Sequence, residues 1–542
     1  MKQLPSALVP WTLALASTVL VAACSGDSGA PSSSSGGAAP GGDSGAGRGA
    51  APTATGGATT GGAEGSGAAS GAGVTAGAPS AGAGAASGGV ANAGGAAGAG
   101  TSAGRGGNGG LGGNGGLGGN GGGGGNGGAT VDPSLPLTAV AFFPTKGRKE
   151  ACADAAISIQ FNRPPSIKSG GKIEIHTAAG DVVDSVTSSV TELYFSDLVT
   201  RNSFKTDALD VVFNTVVFHP KADFTYGATY YVTVDEGMIT DTAGTKFSVQ
   251  KSDGWTFTVR AQKPPTADTL TADGSGDYCS LKGVLDALPD SASTDRVVQV
   301  GPGVYPGIIR MKDSHLHFTG AGVDRSVFSH KNSATMNSDR SGIELAGSDV
   351  TFENLTIFNT YLKDSSGQQA EALYVTSAAK RVSLANVHLR SHQDTLRVDG
   401  QVVMNGGKIS GSTDPLWGTG AFYCDGCELQ SRTSGHAFVV ARSTQGFALV
   451  NCRVTKETAS VSGTFLAQVH SGSEPGKIAF VGCAIDSHVV GWREPADHDW
   501  YEYGNTKLVG GGAAKYDGKQ LAAGDAVLQA TSSPQSWLGW GP

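Results

Sequence analysis

One short apolar pattern recurs through the second half of this 542-residue chain and constrains its fold more than any other feature. Each unit holds apolar or small residues at its first, fourth and sixth positions, and successive units begin 20 to 32 residues apart. The units are FENLTI at 352–357, LANVHL at 384–389, MNGGKI at 404–409, CDGCEL at 424–429, LVNCRV at 449–454 and FVGCAI at 480–485. A unit this short is one strand with its turns and cannot bury a core alone, so successive units must stack on a shared core. The repeat therefore predicts a parallel β-helix over residues 265–542.

Residues 135–260 show a different pattern, in which short runs alternate apolar and polar residues between turns, as in LDVVFNTVVFHP at 209–220. Strict alternation without a helical period is typical of an antiparallel β-sandwich. The stretch YGATYYVTVDEGMITDTAGTKF at 226–247 resembles bacterial Ig-like domains of surface proteins. We therefore expect an all-β chain with an N-terminal Ig-like β-sandwich, whose default role is that of a spacer.

The N-terminal segments predict export rather than folding. Residues 1–24 carry one lysine and an apolar run that is too short for a membrane helix and ends in VAAC, which resembles a bacterial lipobox. That resemblance implies cleavage before Cys24 and acylation of its thiol; an ordinary signal peptide with a chance cysteine is the alternative. Residues 25–130 are almost entirely Gly, Ala, Ser and Thr, so they have little to bury and are predicted to be disordered.

Charge and cysteine content narrow the possible partners. The charges of residues 1–130 cancel, so the whole net charge of −8 belongs to residues 131–542, and no basic cluster is present to favour nucleic acid. Export permits disulfides among the six cysteines that follow Cys24, but the sequence leaves their pairing open. Cys427, Cys452 and Cys483 share one inward slot of the repeat, which predicts an interior stack of thiols rather than metal ligands. No metal is expected.

Chemistry is predicted where the chain leaves the repeat. Three excursions, GQQAEAL at 367–373, SHQDTL at 391–396 and GSTDPLWG at 411–418, lie about one coil apart and could align on one face of the solenoid. Alignment would bring together Gln369, Gln393, Asp394 and Asp414. One ionised aspartate could then attack an ester carbonyl, two amides could hold the oxyanion, and a protonated aspartate could serve the leaving alkoxide. Taken alone, GSTDPLWG would be read as a surface turn.

These excursions belong to an ordered set of motifs that resembles the pectin methylesterase family over about half of the chain. The set comprises ADGSGDYCSLKGVLDALP at 272–289, VQVGPGVYPGIIR at 298–310, FENLTIFNT at 352–360, QAEAL at 369–373, QDTL at 393–396, GSTDPLWG, VGWREP at 490–495 and WYEYGNTKLVGGGA at 500–513. The resemblance implies a right-handed β-helix that needs no cofactor and demethylates pectin or a related methyl-esterified polyuronate. It implies that Asp414 is the nucleophile, Asp394 the general acid and then base, and Gln369 and Gln393 the oxyanion amides. By the same resemblance Trp492 and Trp417 would contact substrate.

The chain departs from this family in one loop near the nucleophile. In LAQVH at 466–470, Gln468 stands where the family has an arginine and His470 where it has a tryptophan, while Gly307 replaces a usual glutamate. A neutral amide cannot lower the pKa of Asp414 as a cation would, and Arg442 is the candidate cation that could substitute. Both Gln468 and Arg442 are accordingly predicted near the substrate.

These departures leave two other functions open: a polysaccharide-binding protein on a decayed esterase scaffold, and an esterase or thioesterase of other specificity. We expect a monomer that touches a membrane only through its lipid anchor. It would be held at the bacterial cell surface or outer membrane, or secreted.

Overall fold

The computed structural model describes residues 136–188, 191–195, 203–288, 294–361, 368–469, 474–494 and 498–542. The predicted signal segment with Cys24, the segment 25–130 and His470 lie outside these residues. Within the described part of the chain, each helix is too short or too polar to cross a lipid bilayer.

The first folded region is built from thirteen strands and one 3₁₀ helix at Lys251–Asp253. The strands are β1 (Ala139–Phe143), β2 (Arg148–Ala151), β3 (Ile157–Phe161), β4 (Ser166–Ile167), β5 (Ile173–Thr177), β6 (Val182–Val186), β7 (Thr191–Phe195), β8 (Ser203–Asp207), β9 (Leu209–Val212), β10 (Thr215–Phe218), β11 (Thr229–Thr240), β12 (Lys246–Val249) and β13 (Thr256–Val259). One sheet has the order β1-β3-β10-β9, a second has β2-β13-β11-β5-β6 with β4 and β12 added to β11, and β7 pairs with β8 in a third. Strand pairs are antiparallel except β2 with β13. The apolar residues enclosed by these strands form one core that includes Trp255 and Phe257, which confirms the predicted β-sandwich.

The second folded region is built from twenty-eight short strands and three helices. They are β14 (Thr269–Leu270), α1 (Leu281–Ala287), β15 (Arg296–Val300), β16 (Gly303–Pro306), β17 (Ile309–Met311), β18 (Leu316–Gly320), β19 (Ser326–His330), β20 (Ile343–Leu345), β21 (Val350–Glu353), β22 (Thr356–Asn359), β23 (Leu373–Val375), β24 (Val382–Ala385), β25 (His388–Arg390), β26 (Leu396–Val398), β27 (Gln401–Asn405), β28 (Lys408–Gly411), β29 (Leu416–Gly418), β30 (Ala421–Asp425), β31 (Glu428–Ser431), β32 (Ala437–Ala441), β33 (Gly446–Val450), β34 (Arg453–Lys456), β35 (Thr464–Ala467), β36 (Ile478–Val481), β37 (Ala484–Ile485), β38 (Val489–Gly491), β39 (Trp500–Tyr503), β40 (Thr506–Lys507), β41 (Lys519–Gln520), α2 (Ala526–Ala530) and α3 (Pro534–Leu538).

These strands form three parallel sheets, and consecutive strands of each sheet come from successive coils. The first sheet has the order β14-β15-β18-β21-β24-β27-β30-β33-β36-β39-β41, and the second β16-β19-β22-β25-β28-β31-β34-β37-β40. The third sheet has the order β17-β20-β23-β26-β29-β32-β35-β38. The inward residues of all three sheets share one core, in which Phe318 and Phe352 of neighbouring coils stack with their ring centroids 5.4 Å apart. The predicted parallel β-helix is confirmed.

The recurring six-residue unit forms the turn from the first sheet to the second. The backbone conformation at its third position explains why successive coils stay in register. That position has a positive φ in every unit: Asn354 (54°), Asn386 (49°), Gly406 (63°), Gly426 (68°), Asn451 (53°) and Gly482 (65°). Glycine and asparagine are the residues that adopt this left-handed conformation at least cost. The same turn can therefore repeat coil after coil, which keeps the strands in register.

The cysteines of the repeat lie inside the β-helix. Cys427, Cys452 and Cys483 follow one another in register on successive coils and are fully buried. Cys424 and Cys427 form a disulfide, whereas Cys452 and Cys483 are free thiols, so Cys427 is not a member of a stack of free thiols. The Cys452 sulfur lies close to both bonded sulfurs, but a sulfur in a disulfide is not a thiolate ligand for a metal.

Covalent and polar contacts join the sandwich to the β-helix. The Cys152–Cys279 disulfide crosses between them just before α1. The half-buried Asp154 carboxylate accepts hydrogen bonds from the backbone N–H groups of Cys279 and Ser280 and from the Ser280 hydroxyl. Because Ser280 is the N-cap of α1, the sandwich holds the first helix of the β-helix domain in place.

The outer faces of the sheets differ in what covers them. Trp537 and Leu538 of α3 pack with Tyr423 and other residues on the outer face of the first sheet. The third sheet instead carries one row of side chains at the outward position of each strand, paired in register from coil to coil. We call this set the groove row: Arg310, Glu344, Tyr374, Arg397 and Trp417. The outer face of the third sheet is therefore the face on which a long ligand could lie.

Candidate functional site

Three carboxylates stand in one row at the entry to the third sheet. Glu371, Asp394 and Asp414 each lie two residues before a strand, namely β23, β26 and β29. The strands pair in register, so the three positions are aligned on successive coils and lie about 4.8 Å apart along the solenoid. We call this set the carboxylate row. The coil repeat thus brings together two of the predicted acids and adds a third.

The backbone turns sharply at the two aspartates of the row. Asp394 has a φ of 62° and Asp414 a φ of 47°, both in the left-handed region. Aspartate tolerates this conformation better than most side chains. Hydrogen bonds from the Asp394 N–H to the Thr413 carbonyl and from the Asp414 N–H to the Ala437 carbonyl hold these turns against the next coil. Hydrogen bonds to the neighbouring coils thus hold the backbone position of each aspartate.

Asp394 is the buried member of the pair. Its side chain is almost inaccessible, and burial raises the pKa of its carboxyl well above the ordinary value. The negative charges of Glu371 and Asp414 raise this pKa further, while the Arg340 guanidinium, 3.5 Å away, opposes the rise. Such a carboxyl keeps its proton to higher pH than an exposed aspartate and can donate it.

Glu371 and Arg340 form the second layer around Asp394. The Arg340 Nε donates to both Glu371 carboxylate oxygens, at 2.8 and 2.9 Å. Burial raises the pKa of Glu371, and the Arg340 charge acts against that rise. Arg340 also lies over the ring of Trp417, 5.6 Å from its centroid. One cation therefore links two acids of the row to the groove.

Asp414 has a different environment. It is half-buried, and the Gln468 side-chain amide donates to its Oδ1 at 2.7 Å. The Oε1 of the same Gln468 accepts a hydrogen bond of 2.6 Å from Arg493, which also donates to the Gly435 carbonyl. A neutral amide thus contacts the carboxylate, and a cation stands directly behind that amide.

The prediction that Arg442 supplies a cation to Asp414 is not met in this structure. Gly418 pairs with Ala441, so Arg442 follows the C-terminal end of β32, whereas Asp414 precedes the N-terminal end of β29. Four residues of extended strand correspond to about 13 Å. Arg442 is exposed at the opposite edge of the third sheet, and Gln468 and Arg493 occupy the place next to Asp414.

The two predicted oxyanion amides flank the carboxylate row. Gln393 immediately precedes Asp394, to which its side chain donates a hydrogen bond, and its carbonyl accepts from the Ala370 N–H. Gln369 lies one residue before Ala370, on the preceding coil, and its carbonyl accepts from the Ala334 N–H. Both side chains are half-buried, and the residues that carry them lie next to the carboxylate row on two successive coils.

The two predicted aromatic contacts are placed differently. Trp417 is half-buried in the groove row, with the Arg397 guanidinium 4.7 Å from its ring centroid. Trp492 is only 6% exposed, stacks on Trp500 at 4.9 Å and donates its indole N–H to Glu502 at 2.8 Å. Its contacts are those of a core residue, and the structure does not bring it to the carboxylates.

The sequence interpretation missed Glu371, Arg340 and Arg493. For Glu371 a signal was present, because an acidic residue two positions before a leucine recurs in EAL at 371–373, DTL at 394–396 and DPL at 414–416. Arg340 and Arg493 belong to no repeated pattern. Their roles depend on loops that approach the row from other coils.

Comparison with known proteins agrees with this architecture. Residues 268–492 match the family model for pectinesterase, and residues 133–259 match that for a bacterial Ig-like domain. Pectinesterase 31 of Arabidopsis thaliana is 26% identical over 208 residues, covering 34% of this chain and 64% of that protein. Pectinesterase A of Emericella nidulans is 26% identical over 309 residues, covering 52% of this chain and 90% of that protein.

Among solved structures, the chain is similar to the pectin methylesterase PemA from Erwinia chrysanthemi, at 22% identity and a TM-score of 0.45. That match covers 52% of this chain and 99% of the Erwinia protein. Pectinesterases are hydrolases of carboxylic esters, so the matched domain is of the hydrolase class. Residues 268–492 thus form a domain of the pectinesterase family, and residues 133–259 form a bacterial Ig-like domain.

Proposed function

We propose that this chain hydrolyses the methyl esters of pectin, releasing methanol and leaving a free polyuronate carboxylate. The observation that carries the proposal is the carboxylate row, in which one aspartate is buried with a raised pKa and the next is hydrogen-bonded to an amide backed by a cation. Two carboxyl groups whose environments differ in this way can divide the acid and nucleophile roles. Membership of the pectinesterase family supplies the substrate class.

In the proposed reaction, the Asp414 carboxylate attacks the ester carbonyl carbon. The oxyanion of the tetrahedral intermediate accepts hydrogen bonds from the side chains of Gln369 and Gln393. Asp394 gives its proton to the methoxide oxygen as the C–O bond breaks, so methanol leaves and an acyl anhydride with Asp414 remains. Asp394, now ionised, takes a proton from the water that attacks this anhydride, which restores both aspartates and releases the acid.

The surroundings of the two aspartates support this division of roles. Burial and two neighbouring negative charges favour the protonated form of Asp394 before attack. The hydrogen bond from Gln468 favours the ionised form of Asp414, and the Arg493 cation orients and polarises that amide. We propose that Gln468 and Arg493 together replace a direct arginine contact. Trp417 in the groove row is the proposed aromatic contact for the sugar chain.

The proposal is tested by methanol release from highly methylated pectin. Asp414→Asn should abolish release, and Asp394→Asn should reduce it by several orders of magnitude, because each removes a group that reacts. Asp349→Asn is the matched control. Asp349 also has a positive φ, but it pairs with Arg381 in a turn away from the carboxylate row. Full activity of Asp414→Asn would refute the nucleophile assignment.

A second function is favoured by one observation, the neutral Gln468 against Asp414 where a direct cation would activate the nucleophile more strongly. A protein of this kind would bind polysaccharide without cleaving its esters. Binding of pectin by the wild-type chain with no methanol release, on a panel that also includes other acyl esters, would support that function and contradict esterase activity on pectin.

We further propose that the mature chain is exported and anchored by lipid on Cys24, at the bacterial cell surface or outer membrane. The support is the apolar run that ends at Ala-Ala-Cys and the long Gly-rich tract that follows it. Detection of acyl chains on the N-terminal cysteine by mass spectrometry, and their loss in Cys24→Ser, would test this anchor.

A further inference from the structure

Strand β8 of the Ig-like domain lies against one end of the groove row. The ring of Phe204 covers the Arg310 guanidinium, with 4.5 Å between the ring centroid and the guanidinium carbon. The Arg310 side chain is only 5% exposed, against 28% for Glu344 and 29% for Arg397 farther along the row. Asp339 and Ser341 of the loop before β20 also accept hydrogen bonds from Arg310. The row is therefore open from Glu344 to Trp417 and closed at Arg310, by that loop and by Phe204 over it.

The rest of β8 is also bound to the β-helix. The backbone N–H of Lys205 donates to the Asn337 side-chain oxygen at 2.8 Å, and the Asn337 amide returns a bond to the Lys205 carbonyl at 2.9 Å. Asp207 pairs with Lys331, and the Thr206 hydroxyl donates to the Lys331 carbonyl. Every position from Phe204 to Asp207 thus contacts the β-helix, although strand β8 pairs in a sheet with β7 alone among the described strands.

The contacted loop leads from the closed end to the catalytic residues. Lys331 and Asn337 lie between β19 and β20, in the same loop as Arg340, which pairs with Glu371 and Asp394. The matched esterase domain begins at residue 268, so β8 is a wall that the Ig-like domain adds from outside it. These contacts at the groove are not expected of a domain that serves only as a spacer.

We propose that β8 ends the substrate groove, so that a methyl-esterified polyuronate chain extends from the catalytic aspartates past Tyr374 to Glu344 and stops at Arg310. From Trp417 to Arg310 the row spans four strand spacings, about 19 Å. A longer chain running in this direction meets Phe204 and its backbone contacts. The enzyme therefore acts at a limited distance from one end of the sugar chain, and this inference rests on the proposed esterase function.

The test locates the demethylated positions on fully methylated oligogalacturonides of increasing length, labelled at the reducing end and sequenced by tandem mass spectrometry. Full-length wild-type protein should leave free carboxylates clustered at one fixed distance from a single chain end, whatever the chain length. A variant in which residues 191–206 are replaced by a short Gly-Ser turn should distribute them along the chain. Glu236→Gln, at an exposed position of β11, is the matched control and should keep the wild-type pattern.

The double variant Phe204→Ala with Asn337→Ala keeps the strand and should broaden the cluster, which covers the case in which the loop replacement fails to fold. Methanol release with the same unclustered pattern in wild type and variants overturns the closed groove while leaving the esterase intact. No methanol from the wild type would instead refute the proposed function, and the closed groove would fall with it.

Discussion

The relay from Arg493 through Gln468 to Asp414 can be tested by the substitution Arg493→Gln. The two hydrogen bonds of 2.6 and 2.7 Å enclose one amide group, so the guanidinium and the carboxylate lie about 7 Å apart. At that distance their attraction is ~0.6 kcal/mol in bulk water and ~2.4 kcal/mol at an effective dielectric constant of ~20. Because Arg493 is exposed, we expect a value near the lower end, about 1 kcal/mol.

The sign of the effect follows from the role proposed for Asp414. A nearby cation favours the carboxylate, so its removal raises the pKa of Asp414 and a larger fraction of the nucleophile is protonated at low pH. One pKa unit corresponds to ~1.4 kcal/mol, so the acid limb of the pH profile should move up by about 0.7 unit. On that limb the rate should fall about fivefold, whereas the rate on the plateau should change little.

The assay is kcat/KM for methanol release as a function of pH, since this quantity reports ionisations of the free enzyme. Arg453→Gln, an exposed arginine of β34, is the matched control. In a Gln468→Met background the effect of Arg493→Gln should be smaller, because the amide oxygen that holds the guanidinium near Asp414 is gone. Gln468→Arg should shift the acid limb in the opposite direction, because a cation at ~4 Å interacts with ~4 kcal/mol at the same dielectric constant.

An unchanged acid limb in Arg493→Gln would refute the relay, and so would an equal shift in Arg453→Gln. A shift of the acid limb of the same size in Arg442→Ala would show instead that Arg442 influences the ionisation of Asp414. A fall in the plateau rate without movement of the limb would show that Arg493 positions Gln468 but does not influence the ionisation of Asp414.

Three further outcomes follow from the same structure. Glu371→Gln removes a negative charge that raises the pKa of Asp394, so the alkaline limb of kcat should move to lower pH. A limb that stays in place would contradict that coupling. Trp492→Ala should lower the free energy of unfolding, measured by denaturant titration, by about 3–5 kcal/mol because core packing is lost. A change in KM without loss of stability would instead support a substrate contact. Replacing both Cys152 and Cys279 by serine should cost about 2–4 kcal/mol and lower Tm, since their bond closes a loop with a sequence separation of 127, and an unchanged Tm would show that the noncovalent contacts suffice.

Much of the fold could be predicted because its determinants are local. The six-residue unit combines inward apolar positions with an asparagine or glycine at a turn of positive φ, and both signals can be read within a few residues. The sandwich was predictable for the same reason, from alternation in runs such as β10 and β11. Stacking then follows from the need of each short unit to share a core. The spacing of EAL, DTL and DPL likewise determines that Glu371, Asp394 and Asp414 stand in one row.

What the sequence could not decide is which side chains meet across coils. Gln468 lies 54 residues from Asp414 and receives its own hydrogen bond from Arg493, whereas the sequence alone suggested Arg442. Contacts between side chains on different coils cannot be read from local sequence, because coil lengths and loop paths decide which end of a parallel strand a residue reaches. The loop path after β38 likewise places the Trp492 side chain in the core, which local sequence did not indicate.

The contact of β8 with the groove is decided at the same level. Phe204 and Arg310 belong to different domains, and only the packing of the sandwich against the β-helix places one over the other. The sequence by itself determined the solenoid, the sandwich and the row of acids, since these depend on short-range periodicity and turn conformation. Tertiary structure alone decided the burial and the charged neighbours of each acid and where the groove ends, because those properties depend on residues brought in from distant coils and from the other domain.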